Sequence, residues 1–147
     1  MRYAPPGDEE QLMTGQAEIR VAIASDGDIV IARQKGRELA AARDFDKTEQ
    51  TLIATAISEI ARNIVEYANS GEITLQPVEH HGRAGILIVA HDQGPGIPDI
   101  DLAMKDGYST GKSLGMGLPG ARRLMDEFDL VSTPGKGTTI TMKKWVR

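Results

Sequence analysis

Two glycine-rich turns, separated by a polar loop, contain the residues of this sequence that are best suited to a binding site. The first reads DQGPGI over residues 92–97, and the second reads LGMGLPG over residues 114–120. Repeated glycines suit places where the main chain adopts a positive φ or approaches a ligand closely. Asp92 offers a carboxylate that can accept from an exocyclic amine, beside glycines against which a flat base can pack. The second turn leads into a predicted helix, whose free N–H groups suit an anion.

A carboxylate and an amide, Glu59 and Asn63, lie four residues apart in a predicted helix. They therefore share a helix face, at the shoulder of the apolar stripe, from which they can look into a cleft. Such a pair can activate a hydroxyl group or water and supply an oxygen to Mg²⁺, which prefers oxygen ligands shared with phosphates and waters. Taken alone, a pair of this kind is usually a solvated helix face, so its interpretation depends on the glycine-rich turns.

Two common nucleotide-binding motifs can be compared with this sequence, but the segments that precede them do not fit. The pattern G-x-G-x-x-G at residues 115–120 matches the dinucleotide fingerprint, but that fingerprint needs a strand directly before it, and here a polar loop precedes it. Residues 107–113 resemble a phosphate-binding P-loop, yet they have one residue too few between the glycines and no strand before them. We reject both interpretations.

The elements that must position these residues follow from hydrophobic periodicity. Alternation with a period of two predicts strands at residues 17–24, 72–78, 84–92, 128–132 and 138–146, and helical spacing predicts helices at 28–42, 46–68 and 120–127. Asp28 is the expected N-cap of the first helix. The apolar stripe of the second helix consists of Ile53, Ile57, Ile60, Ile64 and Ala68. A hairpin turn is predicted at residues 80–83. Together these elements predict an α+β two-layer sandwich, with a mostly antiparallel or mixed sheet and helices on one face.

Length, charge and cysteine content restrict the class of protein. We expect a flexible tail at residues 1–15, which are rich in proline, glycine and acidic side chains, and one domain over residues 16–147. Seventeen basic and 21 acidic residues give a net charge of −4 without a basic tract, which argues against a nucleic-acid partner. The chain has no cysteine, no membrane-length apolar run and no signal-like core, so we expect a soluble cytoplasmic protein.

The combined motifs resemble those of the GHKL ATPase superfamily. E-x-x-x-N at 59–63, D-x-G-x-G at 92–96, G-x-G-x-x-G at 115–120 and G-T-T at 137–139 are similar to its N, G1, G2 and final threonine elements, in the same order. Over about residues 19–147, the chain most resembles the small anti-sigma-factor type serine kinases, and among them the RsbT type of switch kinase associated with stressosomes. The resemblance implies a Bergerat-type ATP-binding fold with ATP and Mg²⁺ as cofactors.

The resemblance also implies a role for each matching residue. Asp92 would bind the adenine amino group with help from Thr138 or Thr139, Asn63 would ligate Mg²⁺, and Glu59 would be the general base. The base and phosphate turns would contain Gly94, Gly96, Ile97, Gly115, Met116, Gly117, Leu118 and Gly120. Residues 101–114 would form a mobile lid over the phosphates.

Lys112 is a candidate that the residues themselves indicate, because its ammonium lies in the lid loop beside small residues. It can contact the γ-phosphate. The equal alternative is a solvated lysine on a mobile loop.

The activity that the resemblance implies is transfer of phosphate from Mg-ATP to a serine of a STAS-domain antagonist or stressosome protein. It also implies a second partner, a PP2C-type phosphatase that is activated by direct contact. Two alternatives stay open, an anti-sigma factor that holds a sigma factor directly and a partner-switching module without catalysis. The sequence leaves open whether the chain forms a homodimer.

Overall fold

The computed structural model describes residues 18–105 and 117–147, and the backbone of residues 2–3 and 11–12. In these ranges one antiparallel sheet combines five longer strands with two strands of two residues. The strands are β1 (Arg2–Tyr3), β2 (Gln11–Leu12), β3 (Ile19–Ile23), β4 (Gly71–His80), β5 (Arg83–Asp92), β6 (Glu127–Thr133) and β7 (Gly137–Trp145). Their order is β1-β6-β7-β5-β4-β2, with β3 also paired to β4. The predicted α+β class with a mostly antiparallel sheet is confirmed, and every strand pair described is antiparallel.

The alternation of side chains along the strands produces one buried face. Ile88 lies opposite Leu75 of β4 and Met142 of β7, and all three are buried in the core. Because successive side chains point to opposite faces, the same alternation carries Asp92, at the end of β5, onto this face. Its partner across the β5–β7 pair is Thr138.

Four helices are described, and they pack on the buried face. They are α1 (Asp26–Ala42), α2 (Lys47–Ala68), α3 (Ile100–Ala103) and α4 (Gly117–Leu124). Asp46 caps α2 as its side chain accepts the Glu49 N–H at 2.7 Å. The N-cap of α1 is Ser25, not the predicted Asp28, whose carboxylate accepts the N–H of Ala24 at 2.8 Å instead. No helix in the described ranges is long and apolar enough to cross a membrane.

Helix α2 is the central helix of the core. Its predicted isoleucine stripe is buried, and Ala68 at its end is half-buried. Helix α1 packs closely on it because Gly36 has no side chain where a Cβ would overlap the end of Ile57. This close packing fixes α2 against α1.

Most element boundaries lie within a few residues of the predicted ones, and α4 differs the most. Helix α4 begins at Gly117 and ends at Leu124, rather than spanning residues 120–127. It ends early because Asp126 and Glu127 are bound to β7: they accept the main-chain N–H and the indole N–H of Trp145, at 2.8 and 2.7 Å. In the segment predicted as a flexible tail, the four described residues pair with β6 and β4.

Candidate functional site

A cleft of about 320 Å³ opens between α2, the loop after β5, α3 and the first residues of α4. Six of the predicted site residues line it: Glu59, Asn63, Gly96, Ile97, Gly117 and Leu118. The other lining residues are Arg62, Glu66, Tyr67, Pro98, Asp99, Leu102 and Ala103. The structure therefore brings the helix pair and parts of both glycine-rich turns to one cavity.

Glu59 and Asn63 form the α2 wall of this cleft. Helical spacing places them one turn apart on the same face, and their exposed fractions are only 5% and 9%. The guanidinium of Arg62 donates a hydrogen bond from Nη1 to Oε1 of Glu59 at 3.1 Å, so the buried carboxylate forms an ion pair. A carboxylate held in this way can accept a proton from a hydroxyl group that enters the cleft.

Asp92 is buried at the end of β5, with an exposed fraction of 5%. Its Oδ1 accepts the N–H of Gly94 at 2.9 Å. A Cβ at Gly94 would lie 2.6 Å from the Cβ of Ala68, so the absence of a side chain lets this loop sit against the end of α2. Asp92 and Gly94 do not line the cleft. The loop that contains them continues into Gly96 and Ile97, and these two residues do line it.

A short chain of hydrogen bonds joins β7 to the cleft. The hydroxyls of Thr138 and Ser132, both buried, share a hydrogen bond of 2.9 Å, and Ser132 Oγ accepts the N–H of Ile97 at 2.7 Å. Ser132 was not singled out by the sequence patterns. Its role depends on β6 lying beside β7, which is not visible in local spacing.

The structure distinguishes between the two candidate threonines. Thr138 shares the buried face with Asp92, whereas Thr139 points to the opposite face, where its hydroxyl lies 2.8 Å from Nδ1 of His91. Strand alternation separates adjacent residues in this way. Thr138 is thus the threonine that the fold places beside Asp92, and Thr139 is not brought to the site.

The start of α4 supplies the opposite wall of the cleft. Gly117 has a φ of +55° and begins the helix, and the N–H groups of a first helical turn suit a phosphate. Gly120 lies one turn further on, is buried and does not line the cleft. Lys112, Gly115, Met116 and residues 106–114 of the predicted lid lie outside the described residues.

The oxygen-bearing side chains of the cleft suit a Mg²⁺ ion whose other ligands are phosphate oxygens and waters. The described residues contain no group of three or more His, Cys, Asp or Glu side chains arranged to hold a metal by themselves. Mg²⁺ is commonly bound through one or two protein oxygens together with phosphates and waters. The side chains of Asn63 and Glu59, on one face of α2, suit this mode.

Residues missed by the sequence analysis complete the α2 face. Arg62, Glu66 and Tyr67 continue the helical spacing that Glu59 and Asn63 begin. Extending the same periodicity along α2 would have found them. Leu102 has no such signal, since its place in the cleft depends on how α3 packs.

Comparisons with known proteins agree with this geometry. The family model described as "Histidine kinase-, DNA gyrase B-, and HSP90-like ATPase" matches residues 48–146. The serine/threonine-protein kinase RsbT of Bacillus subtilis (strain 168) is 53% identical over 127 residues, which cover 86% of this chain and 96% of the relative. The anti-sigma F factor of Caldanaerobacter subterraneus subsp. tengcongensis is 35% identical over 102 residues, 64% of this chain and 68% of the relative.

A solved structure shares the fold. The mycobacterial sensor histidine kinase MprB superposes with a TM-score of 0.50 at 14% identity, over 90% of this chain and 98% of that chain. At this identity the similarity concerns the fold alone.

Proposed function

The chain belongs to the histidine kinase-, DNA gyrase B- and HSP90-like ATPase family, the GHKL superfamily, and from this we propose that it is a serine/threonine protein kinase. It transfers the terminal phosphate of Mg-ATP to a serine of a partner protein. The observation that carries this proposal is the buried pair Glu59 and Asn63, which shares one cleft with the start of α4 in a chain similar to a named kinase. We propose residues 16–147 as the single domain that performs the reaction.

The nucleotide would be held from two sides. Asp92 accepts from the adenine amino group, supported by Thr138, while the N-terminal N–H groups of α4 receive phosphate oxygens. Lys112 stays a candidate for an additional phosphate contact.

The phosphoryl transfer itself depends mainly on positioning and charge. Asn63 would hold Mg²⁺, which when bound would neutralise phosphate charge. Glu59 accepts the proton of the serine hydroxyl. The serine oxygen bonds to the terminal phosphorus as the bond from that phosphorus to its bridging oxygen breaks, and ADP leaves with that electron pair.

The partner is proposed from the relatives. The names of the two sequence relatives, a serine/threonine-protein kinase and an anti-sigma F factor, support a partner-switching kinase. We propose that the phosphorylated serine belongs to a STAS-domain antagonist or stressosome protein in the cytoplasm, and that a PP2C-type phosphatase is the second partner. The anti-sigma F factor relatives also favour a second candidate, direct binding of a sigma factor.

A phosphotransfer assay tests the proposal. The protein is incubated with γ-labelled ATP, Mg²⁺ and candidate STAS-domain proteins, and label is sought on serine. Glu59→Gln keeps the shape of the side chain but removes the base, so transfer should fall about 10²- to 10⁴-fold. ATP binding, measured by calorimetry, should be largely retained.

Asp92→Asn is the complementary variant and should lose ATP binding itself. If Asp92→Asn binds ATP as well as the wild type, the site assignment is wrong. If a sigma factor binds the chain while no STAS-domain protein is labelled, direct sigma-factor binding is the better account.

A further inference from the structure

Arg62 lines the cleft beside Glu59, yet the proposed phosphoryl transfer gives it no task. We infer that Arg62 binds the terminal phosphate of the nucleotide while it keeps its contact with Glu59. One guanidinium then aligns the phosphoryl group with the base. This inference rests on the proposed function and adds a nucleotide-sensing residue to it.

The position of Arg62 is set by α2. Residues 59 and 62 lie three apart on one face of the helix, so the guanidinium is adjacent to the carboxylate of Glu59. The side chain of Arg62 is 24% exposed and that of Glu59 is 4% exposed. The arginine head group is therefore at the wall of the cleft rather than extended into solvent.

Within the described part of the cleft, Arg62 is the positively charged side chain that an anion can meet, in a lining that carries more negative than positive charge. Among the described residues that line it, Arg62 is the one cation, whereas Glu59, Glu66 and Asp99 carry carboxylates. A triphosphate would enter this acidic surrounding only with positive charge nearby. Arg62 and the start of α4 supply that charge from protein groups.

The guanidinium also has donors to spare. It presents five N–H donors in a planar fork that matches phosphate oxygens. In the described part of the chain it makes a single hydrogen bond, through Nη1 to Glu59. Most of the fork is thus available to a phosphate without loss of the ion pair.

The contact must be to the terminal phosphate because of what Glu59 does. A general base lies about 2.6–3.2 Å from the hydroxyl it deprotonates. That hydroxyl oxygen lies about 3–3.5 Å from the phosphorus it attacks. A guanidinium bound to Glu59 at 3.1 Å is therefore near the phosphoryl group that reacts, rather than near the phosphates that remain in ADP.

The competing interpretation is an ion pair between residues three apart that only supports Glu59. Nucleotide discrimination separates the two when Arg62→Gln is also made in the Glu59→Gln background, because no carboxylate is then left unpaired beside the terminal phosphate and only a direct contact of Arg62 can distinguish ATP from ADP. We would measure binding of ADP and of a non-hydrolysable β,γ-imido analogue of ATP to the full chain with Mg²⁺, by calorimetry.

Wild-type protein should prefer the ATP analogue. Arg62→Gln should weaken the analogue on the order of tenfold or more, with little change for ADP, since it removes a charged hydrogen-bond donor. The affinity of Arg62→Lys for the ATP analogue should lie between those of wild type and Arg62→Gln, because an ammonium keeps the charge but lacks the planar set of donors. Glu59→Gln should still bind the ATP analogue more tightly than ADP. The matched control is Arg33→Gln, because Arg33 is an exposed arginine on α1.

Unchanged discrimination in Arg62→Gln in either background, or equal loss for both nucleotides, would overturn the inference while leaving the proposed kinase intact. If Arg62→Gln does not fold by circular dichroism, an ATP preference in Arg62→Lys equal to wild type would overturn it. Failure of wild-type protein to bind either nucleotide would overturn the proposed function and this inference together. Binding as expected without label on any partner serine would refute only the kinase activity.

Discussion

At the scale of single residues, the side of the sheet on which a hydroxyl lies decides its role. Thr138 and Thr139 are adjacent in β7, yet Thr138 joins Ser132 on the buried face and Thr139 joins His91 on the other face. The two residues have the same chemistry and nearly the same place in the chain. They therefore form a matched pair in which only the face differs.

Thr138→Val should weaken ATP binding by roughly two- to tenfold, because the loss of one neutral hydrogen bond changes free energies by about 0.5–1.5 kcal/mol. Thr139→Val should leave ATP affinity unchanged. Calorimetric titration of both variants checks this. Equal effects of the two substitutions would contradict the placement of Thr138 at the site.

At the scale of elements, the loop between β5 and α3 depends on glycine where it passes the β6–β7 hairpin. Gly96 has a φ of +82°, and a Cβ there would lie 2.7 Å from the carbonyl oxygen of Thr133. Because Gly96 and Ile97 line the cleft, a displaced loop changes the cleft directly. Gly82, in the β4–β5 turn, has a similar φ of +77°, but a Cβ there would meet no described atom within 4 Å. A substitution at Gly82 therefore reports the backbone strain alone.

Gly96→Ala and Gly82→Ala should therefore differ. Both variants incur the left-handed conformational cost of about 1–2 kcal/mol, but Gly96→Ala adds a steric cost of about 1–3 kcal/mol and weakens ATP binding. Urea unfolding and calorimetry measure the two effects. The expectation fails if the variants lose the same stability and bind ATP equally well.

At the scale of the whole molecule, α2 serves both the core and the site. Its buried isoleucines pack against α1 and the sheet, while Glu59 and Asn63 line the cleft. The loop that contains Asp92 and Gly94 rests on the end of the same helix. A ligand that contacts α2, this loop and α4 together should stabilise the folded chain as a unit.

ATP at 100 times its dissociation constant should stabilise the protein by about 2.7 kcal/mol. For a domain of this size, that corresponds to a rise of roughly 5–11 °C in Tm, from about 2–4 °C for each kcal/mol. Thermal unfolding with and without Mg-ATP measures it. Asp92→Asn should lose most of the shift, and a full shift in that variant would show that the stabilising nucleotide binds elsewhere.

The sequence by itself determined the fold class and most element boundaries to within a few residues, because apolar periodicity is a local property of each segment. It also placed Glu59 and Asn63 on one helix face, since helical spacing needs no tertiary information. The four motifs indicated the family, and the comparisons confirmed it.

The tertiary structure alone decided how separate segments meet. It selected Thr138 over Thr139 and added Ser132, because both depend on the register of β6 and β7. It ended α4 at Leu124, because β7 binds the residues that follow. It also brought Leu102 to the cleft, since the shape of a cavity arises from packing between elements far apart in the chain.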